Sequence, residues 1–201
     1  MPYPTEHKQQ TRERIVVCAR QLFNRRGFSE VSIDEIMDMA GLTRGGFYNH
    51  FETKSDLYVE TLVDFAMQRE SCAKNSEHYG PEVARQIFEK YVSRQHLENL
   101  DDHCPLMSLS SDVARAGPKV RAAYQRVLEA LASVFESNVN AINTLSARQQ
   151  GLAIAATCVG AMVLSRTVDD PELADEICEA ARAFGADAIG WPEANNLRSN
   201  L

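Results

Sequence analysis

Hydrophobic residues recur at helical spacing along most of the chain, and no stretch alternates apolar and polar residues as a strand does. The first clear example runs from residue 11 to residue 26. Its apolar positions are Ile15, Val16, Ala19, Leu22 and Phe23. Gly27 follows at a position where helices commonly end, and Phe28 supplies the hydrophobic residue that often accompanies such an end. The pattern predicts an all-α fold.

Capping residues divide this pattern into about nine helices. Ser32 with Glu35, and Ser146 with Gln149, have the spacing of capping boxes, in which two side chains satisfy free N–H groups at a helix start. Proline at position 81 suits the first turn of a later helix. The predicted helices span about 11–26, 33–40, 44–51, 53–72, 81–100, 105–116, 118–141, 147–168 and 171–189.

The composition is that of a globular chain, but it hides a charge asymmetry. The 201 residues are 44% hydrophobic and 24% charged, with a net charge of −7, which argues against a disordered chain. Residues 1–51 hold seven Lys/Arg and six Asp/Glu, a balance of +1, and the other 150 residues hold 14 and 22, a balance of −8. The asymmetry predicts a basic-leaning head on an acidic body, although +1 alone is too weak to indicate DNA binding.

The cysteines and the longest apolar run indicate a protein of the reducing cytoplasm. The five cysteines are odd in number and include no C-x-x-C pair, which favours free thiols. The polar first ten residues do not resemble a signal peptide. The longest uncharged run, Gln149 to Ser165, has 17 residues and is shorter than the ~20 that span a bilayer. It predicts a buried helix and no membrane partner.

Two short predicted helices, joined by Ala-Gly-Leu-Thr behind a longer first helix, have the arrangement of a helix-turn-helix. Phe47 and Phe51 are four residues apart and share a face that we expect to pack inward. Arg44 and Tyr48 share a different face, which stays free to enter a DNA groove. The alternative is that the glycine pair at 45–46 is only a turn and that the aromatic residues are core.

The residues on this free face have chemistry that suits nucleic acid. Arg44 can fork onto guanine O6 and N7 or grip a phosphate. The two glycines that follow weaken a helix by roughly 1 kcal/mol each, and they let the helix start approach the DNA backbone. Tyr48 and His50 can donate to phosphate oxygens. Lys54 adds charge at the start of the next helix, beside free N–H groups that favour an anion.

These residues resemble the signature of the tetracycline-repressor (TetR) family of transcriptional regulators. The family's aromatic-Tyr-x-His-Phe, followed shortly by Lys-x-x-Leu, is matched here by Phe47-Tyr48-Asn49-His50-Phe51 and by residues 54–57. The motif covers about residues 11–57. The resemblance implies a helix-turn-helix DNA-binding domain over residues 1–55 and a helical effector-binding and dimerisation domain over residues 56–201. It also implies a homodimeric repressor that binds palindromic double-stranded operator DNA, needs no cofactor and is released by a small-molecule effector.

The resemblance also assigns the DNA contacts, residue by residue. The position of Arg44 varies in character among members. Some members read bases from the position of Asp34, where an aspartate could accept from cytosine N4 or simply stabilise the helix N-terminus. The predicted contacts are Thr43, Arg44, Gly45, Gly46, Tyr48, Asn49, His50 and Lys54.

The last two predicted helices have faces that suit a subunit interface. The helix after Ser146 is apolar nearly all round, so both sides must be covered, and the last helix is amphipathic. Two such helices per chain can pair across a two-fold axis as a four-helix bundle, and the resemblance points to the same two. The alternative is that both serve only their own chain's core. The predicted interface residues are Leu152, Ala156, Val159, Gly160, Val163, Ile177 and Phe184.

The resemblance places an effector pocket in the middle of the body, although its candidate residues are also ordinary core types. The predicted wall is Phe65, Phe88, Tyr91, His96, Cys104, Met107 and Tyr124. Cys104 precedes Pro105 at a predicted helix start, where the helix dipole favours a thiolate. This suggests a thiol-sensing or electrophile-sensing repressor as an alternative, against an inert buried thiol. Adjacent His103 and Cys104 are too few to predict a metal site.

Other functional classes lack their motifs. The sequence contains no G-x-S-x-G, no glycine-rich phosphate loop after a strand and no H-E-x-x-H, and its five histidines are scattered, which argues against an enzyme. A dimeric scaffold that has lost DNA binding is a third possibility, which the intact Tyr48, His50 and Lys54 disfavour. The sequence therefore predicts a ligand-responsive DNA-binding regulator.

Overall fold

The computed structural model describes residues 5–74, 80–101, 103–108, 110–139 and 145–189. Within these ranges the chain forms helices joined by turns and no strand, so the predicted all-α fold is confirmed. The helices are α1 (Thr5–Arg26), α2 (Ile33–Met39), α3 (Arg44–Phe47), α4 (Lys54–Lys74), α5 (Pro81–Tyr91), α6 (Arg94–Glu98), α7 (Pro105–Ser108), α8 (Ser110–Arg115), α9 (Pro118–Glu136), α10 (Ala147–Thr167) and α11 (Pro171–Ile189).

The described ranges contain eleven helical segments instead of about nine, because one predicted helix is interrupted and another is described in two parts. The predicted helix 81–100 divides into α5 and α6, since Val92 leaves helical geometry at ψ 70° and the Ser93 hydroxyl accepts from the amide of His96 at 3.2 Å. The predicted helix 105–116 corresponds to α7 and α8, with residue 109 outside the described ranges.

Two predicted helix ends were also wrong. Helix α9 stops at Glu136 instead of near residue 141. There Asn138 donates to the carbonyl of Val134 at 2.7 Å and accepts from the amide of Gly80 at 2.6 Å, so its side chain satisfies backbone groups at the helix end. The predicted helix 44–51 continues beyond Phe47 only as turns, in which the amides of Asn49 and His50 bond the carbonyls three residues before them and the amide of Phe51 bonds the carbonyl of Phe47.

The chain divides into two compact units. The first comprises residues 1–68 and 99–127, and the second comprises residues 69–98 and 128–201. The first unit therefore reaches beyond the predicted head of residues 1–55, because segments from later in the sequence pack with it. The division of functions between a DNA-binding domain and an effector-binding domain stays a prediction.

The core of the first unit is built around three aromatic rings from α1, the loop after it and α4. The ring of Phe28 stacks on that of Tyr58 with centroids 4.6 Å apart, and Phe23 meets Tyr58 edge-on at 5.2 Å. Such pairs are favourable beyond the area that they bury. Ile36 and Met37 of α2 are fully buried, so the helix-turn-helix is anchored from its first turn.

The second unit is organised by α10 and α11. One stripe of α10, which includes Ile154, Cys158 and Ala161, is buried, and the hydroxyl of Ser165 donates to the carbonyl of Ala174 in α11 at 3.0 Å. The glycine at 151 is required by close packing, because a Cβ there would lie 2.6 Å from a backbone carbonyl of α9. In the described ranges, no helix combines the length and the apolar character needed to cross a membrane.

Candidate nucleic-acid interface

The turn between α2 and α3 has the geometry of a helix-turn-helix. Gly41 has φ +65°, a left-handed conformation that other residues rarely adopt, and its amide bonds the carbonyl of Asp38 at 2.9 Å. The predicted capping box at the start of α2 is present, with the Ser32 hydroxyl accepting from the Glu35 amide and the Glu35 carboxylate accepting from Ser32. Local backbone bonds thus close the turn that separates α2 from α3.

The predicted inward and outward faces of α3 are both observed. Phe47 and Phe51 are buried, as the sequence predicted. The residues predicted to contact DNA lie on the accessible side, and Tyr48 is 57% exposed. Thr43, Arg44, Gly45, Tyr48 and Asn49 are exposed, whereas Gly46, His50 and Lys54 are partly buried.

The two glycines of α3 are not needed for the protein's own packing. A Cβ at Gly45 would meet no atom within 4 Å, and one at Gly46 would make only ordinary contact, 3.6 Å from Met37. Neither glycine has a positive φ, and both lie within the four residues of α3. Their absent side chains leave open space at the outer surface of α3, where DNA would approach.

Arg44, the first residue of α3, is paired across the helix-turn-helix. Its Nη1 donates to Oδ2 of Asp34 in α2 at 2.6 Å, and the two side chains are 62% and 50% exposed. The two roles predicted for Asp34 were base reading and helix stabilisation, and neither involved this ion pair. The contact joins two helices over ten residues of chain, so neither helical spacing nor capping rules reveal it.

Lys54 faces the protein more than the sequence suggested. Its Nζ donates to the carbonyls of Phe28 and Val31 at 2.8 Å each, and it lies 4.3 Å from the centroid of the Phe28 ring. Burial lowers the pKa of this ammonium group, although the carboxylate of Asp112 opposes the shift. Lys54 therefore connects the start of α4 to the loop between α1 and α2 through two hydrogen bonds.

His50 is in contact with Arg12, an arginine that the sequence motif did not identify. Arg12 in α1 donates to the carbonyl of His50 and, through two nitrogens, to Glu60 in α4. Its guanidinium also lies 4.1 Å from the centroid of the Phe51 ring. Burial, then the charges of Lys8 and Arg12, lower the pKa of His50, so its imidazole is neutral at pH 7.

The end of α1 and the loop after it form hydrogen bonds with three residues that are remote in sequence, Asp101, His103 and Asp112. The carboxylate of Asp112 in α8 accepts from the amide of Phe28 at 2.8 Å. Arg25 donates to both carboxylate oxygens of Asp101, and Asn24 donates to the carbonyl of His103 at 3.2 Å. Sequence patterns do not reveal these contacts, because they join positions more than 70 residues apart.

The predicted effector residues fall in both units. Phe65, Cys104, Met107 and Tyr124 belong to the first unit; the first three are buried, and Tyr124 is partly buried and donates to the carbonyl of Leu106 at 3.1 Å. Burial, then an electrostatic interaction with Cys104, raises the pKa of Tyr124 to about 12.

The remaining effector candidates belong to the second unit. Phe88 and Tyr91 are buried, and Nδ1 of His96 forms a hydrogen bond with the carbonyl of Tyr91 at 2.8 Å. A groove of about 600 Å³ lies between α1 and α4 of the first unit, but none of the predicted effector residues lines it. The effector pocket thus stays a prediction.

The predicted interface residues lie on the outer side of α10 and α11. The buried stripe of α10 runs through Ile154 and Cys158. Phe184 is 66% exposed, and further exposed apolar side chains are Leu164 and Leu173. The predicted residues that are exposed are Leu152, Ala156 and Phe184, and those that are partly exposed are Val159, Gly160, Val163 and Ile177.

A capped short helix, a glycine turn and a second helix with buried aromatics and a polar outer face define a helix-turn-helix protein. Residues 15–61 match the model of the family described as "Bacterial regulatory proteins, tetR family". The chain is 46% identical over 55 residues to the HTH-type transcriptional regulator AcrR of Shigella flexneri, a match that covers 27% of this chain and 26% of AcrR.

Two further similarities extend along most of the chain. An uncharacterized HTH-type transcriptional regulator of Mycobacterium tuberculosis is 28% identical over 170 residues, which are 79% of this chain and 86% of that protein. The crystal structure of a TetR transcriptional regulator from Legionella pneumophila superposes with a TM-score of 0.72 at 19% identity, covering 94% of this chain and 100% of the other. The tetR family model thus matches about a quarter of this chain, in the part that forms the helix-turn-helix, and the chain spans about a quarter of the length of AcrR.

Proposed function

We propose that the protein is a transcriptional repressor that binds palindromic double-stranded DNA as a homodimer through α2 and α3. The observation that carries this proposal is the outer face of α3, where Arg44, Tyr48 and Asn49 are exposed while Phe47 and Phe51 anchor the helix from behind. The glycine at 45 has open space around it, which lets a phosphate backbone come close. Such a protein would act in the cytoplasm.

The proposed dimer forms through the outer faces of α10 and α11. Phe184, Leu164 and Leu173 leave large apolar side chains in water, an arrangement that favours burial against another apolar surface. A two-fold axis brings the same patch of two copies together, and α10 and α11 from each chain then form a four-helix bundle. The pairing would set the spacing of two α3 helices on a palindrome.

We further propose that a small-molecule effector releases the protein from DNA by moving the segment of residues 101–112. This segment contains the candidate pocket residues Cys104 and Met107, and its Asp112 holds the amide of Phe28 just before α2. A ligand that displaces the segment would alter the loop on which α2 depends. Replacing Asp112 by Ala removes the acceptor, whereas replacing it by Asn keeps an oxygen there. We expect Asp112→Ala to blunt the effector response and Asp112→Asn to preserve it.

A sensor that acts through Cys104 is the second candidate. The residue lies immediately before α7, and its carbonyl accepts from the amide of Met107 at 3.0 Å, as the predicted helix start requires. Its side chain is only 4% exposed, which hinders attack by a reagent. We therefore keep the reversibly bound effector as the leading proposal.

A gel shift with the DNA upstream of the protein's own gene tests the proposed function. We expect a discrete complex with this DNA that survives an excess of random duplex. The variant Tyr48→Ala, which alters an exposed position, should lose the complex and keep its fold. Equal binding to both DNAs, or none, would contradict the proposal.

A further inference from the structure

We propose that the groove between α1 and α4 is a binding site for a small amphiphilic organic cation, a molecule with a positive charge at one end of an apolar chain. The groove has a volume of about 600 Å³, which is within the range of sites that hold a single small ligand. The described residues that line it all belong to the first unit, and none of them is a predicted DNA contact. The inference therefore does not depend on DNA binding.

Two contacts between side chains show that α1 and α4 run in the same direction along the groove. Nε of Arg12 donates to Glu60 at 2.7 Å, and Nη1 of Arg20 donates to Gln68 at 3.4 Å. Positions 48 residues apart therefore lie side by side on the two helices. Because the helices are parallel, their earlier residues meet at one end of the groove and their later residues at the other.

The two ends of the groove differ in chemistry. The end that the earlier residues form is polar and acidic, with Gln9, Glu13, Asp56 and Glu60. The apolar lining side chains gather toward the other end, with Val16, Val17, Val63 and Met67. Val17 and Met67 are 42% and 55% exposed, so apolar surface remains in water there. Covering that surface favours a ligand with an apolar part.

Three of the four carboxylates that line the groove already lie near a cation of the protein. Glu60 accepts from two nitrogens of Arg12. The other two pairs are longer, at 3.9 Å each, and they are Asp64 with Arg20 and Asp56 with Lys119. These three acidic charges are therefore largely offset within the protein, and they do not by themselves define a site for a ligand.

Glu13 supplies the charge that identifies the ligand. It is exposed, and its carboxylate accepts at 2.9 Å from the side-chain amide of Gln9, a neutral group. The described lining of the groove includes no lysine or arginine, so an ammonium group at Glu13 meets an attractive field. Val17 follows Glu13 after one helical turn, about 5 Å along the groove. A cation held at Glu13 therefore places its apolar chain over Val17 and Met67, whereas an anion of the same shape is repelled.

The experiment follows the amide NMR signals of the full-length protein, without DNA, as decyltrimethylammonium is added below its micelle concentration. Two matched probes separate the parts of this ligand. Decyl sulfate has the same chain with the opposite charge, and tetramethylammonium has the charge without the chain.

Two variants change the groove itself. Glu13→Gln removes the carboxylate that binds the cation, and Met67→Gln removes exposed apolar surface at nearly constant shape. Their controls are Asp38→Asn and Met39→Gln, which make similar changes at exposed positions of α2 outside the groove. Circular dichroism melting verifies that each variant is folded.

We expect decyltrimethylammonium to shift amide signals within residues 9–17 and 56–68 and to bind more tightly than either matched probe. Relative to its control, Glu13→Gln should weaken this binding about two- to fivefold, as the loss of an exposed ion pair does. Met67→Gln should weaken it about fivefold through the lost apolar contact. Equal affinity for decyl sulfate, shifts centred outside α1 and α4, or unchanged affinity in either variant would overturn the inference. None of these outcomes bears on DNA binding by α3, so the proposed function is tested separately.

Discussion

The ammonium group of Lys54 lies 4.3 Å from the centroid of the Phe28 ring and donates to the carbonyls on either side of the loop before α2. Lys54, which the family resemblance assigns to DNA binding, thus also makes structural contacts within the protein. The Phe28 ring also stacks on the ring of Tyr58, with centroids 4.6 Å apart. Lys54 is therefore expected to contribute separately to the stability of the fold and to DNA binding.

Replacing Lys54 by Met should affect both folding and DNA binding. Methionine keeps the apolar stem but leaves two partly buried carbonyls without their donor, which costs about 1–2 kcal/mol of unfolding free energy. If Lys54 also meets a phosphate, operator and random DNA should weaken about equally, with a salt slope reduced by ~1. Urea unfolding and a salt series measure the two effects. Unchanged DNA affinity of the folded variant would limit Lys54 to its structural role.

The contribution of the α2 capping box to stability should decrease at acidic pH. The hydrogen bond from the Ser32 backbone, followed by those from Arg26 and the Ser32 hydroxyl, lowers the pKa of Glu35 from 4.5 to about 2. A lowered carboxyl pKa stabilises the fold above the unfolded value and loses this effect as pH falls toward the folded one. Glu35→Gln should therefore melt at a lower temperature than wild type at pH 6, and the difference should close between about pH 4.5 and pH 2. A constant difference across that range would contradict the assignment.

DNA binding should be linked to protonation of His50. In the free protein burial lowers the pKa of its imidazole below 6.5, and its Nδ1 is buried with no hydrogen-bond partner among the described groups. A nearby phosphate favours the charged imidazole, so binding should take up protons and tighten as pH falls from 7.5 toward 6. Calorimetry in buffers of different ionisation enthalpy detects this uptake. His50→Gln should abolish it, and His7→Gln, which changes an exposed residue of α1, should not.

The dimer interface can be tested without disturbing the core. Arginine at position 156, 160 or 184 places a charge on the proposed interface, and a Cβ at Gly160 meets nothing within 4 Å. These variants should fold, sediment as monomers at micromolar concentration and bind operator DNA more weakly. Glu179→Arg is the matched control, because it lies about 140° around α11 from Phe184. A wild-type protein that is already monomeric would contradict the proposed dimer.

The burial of Cys104 predicts that it does not act as a sensor. A thiol-alkylating reagent should react slowly with the native protein and rapidly after unfolding, and operator affinity should change alike in wild type and Cys104→Ser. The thiols of Cys18, Cys158 and Cys178 are also buried. Loss of operator binding in the wild type alone would instead favour the thiol-sensing alternative.

Local sequence rules predicted the parts of this fold that local bonds determine. The caps at Ser32 and Ser146, the turn at Gly41 and the inward face of Phe47 all follow from spacing within a few residues. Two contacts could not be predicted: the ion pair of Arg44 with Asp34 and the hydrogen bond from the Phe28 amide to Asp112. Contacts between side chains of different helices leave no periodic signal in the sequence. The interruption after Tyr91 was missed because the apolar pattern continues across it.

The affinity of the full-length protein for its selected operator, set against a scrambled duplex in the same salt, tests the central claim most directly. If α2 and α3 of two protomers read a palindrome, the selected sequence should be palindromic and bound at least about 10³-fold more tightly than the scrambled duplex. A selection that yields no consensus, or equal affinity for the two duplexes, would contradict the assignment of this protein as a sequence-specific regulator.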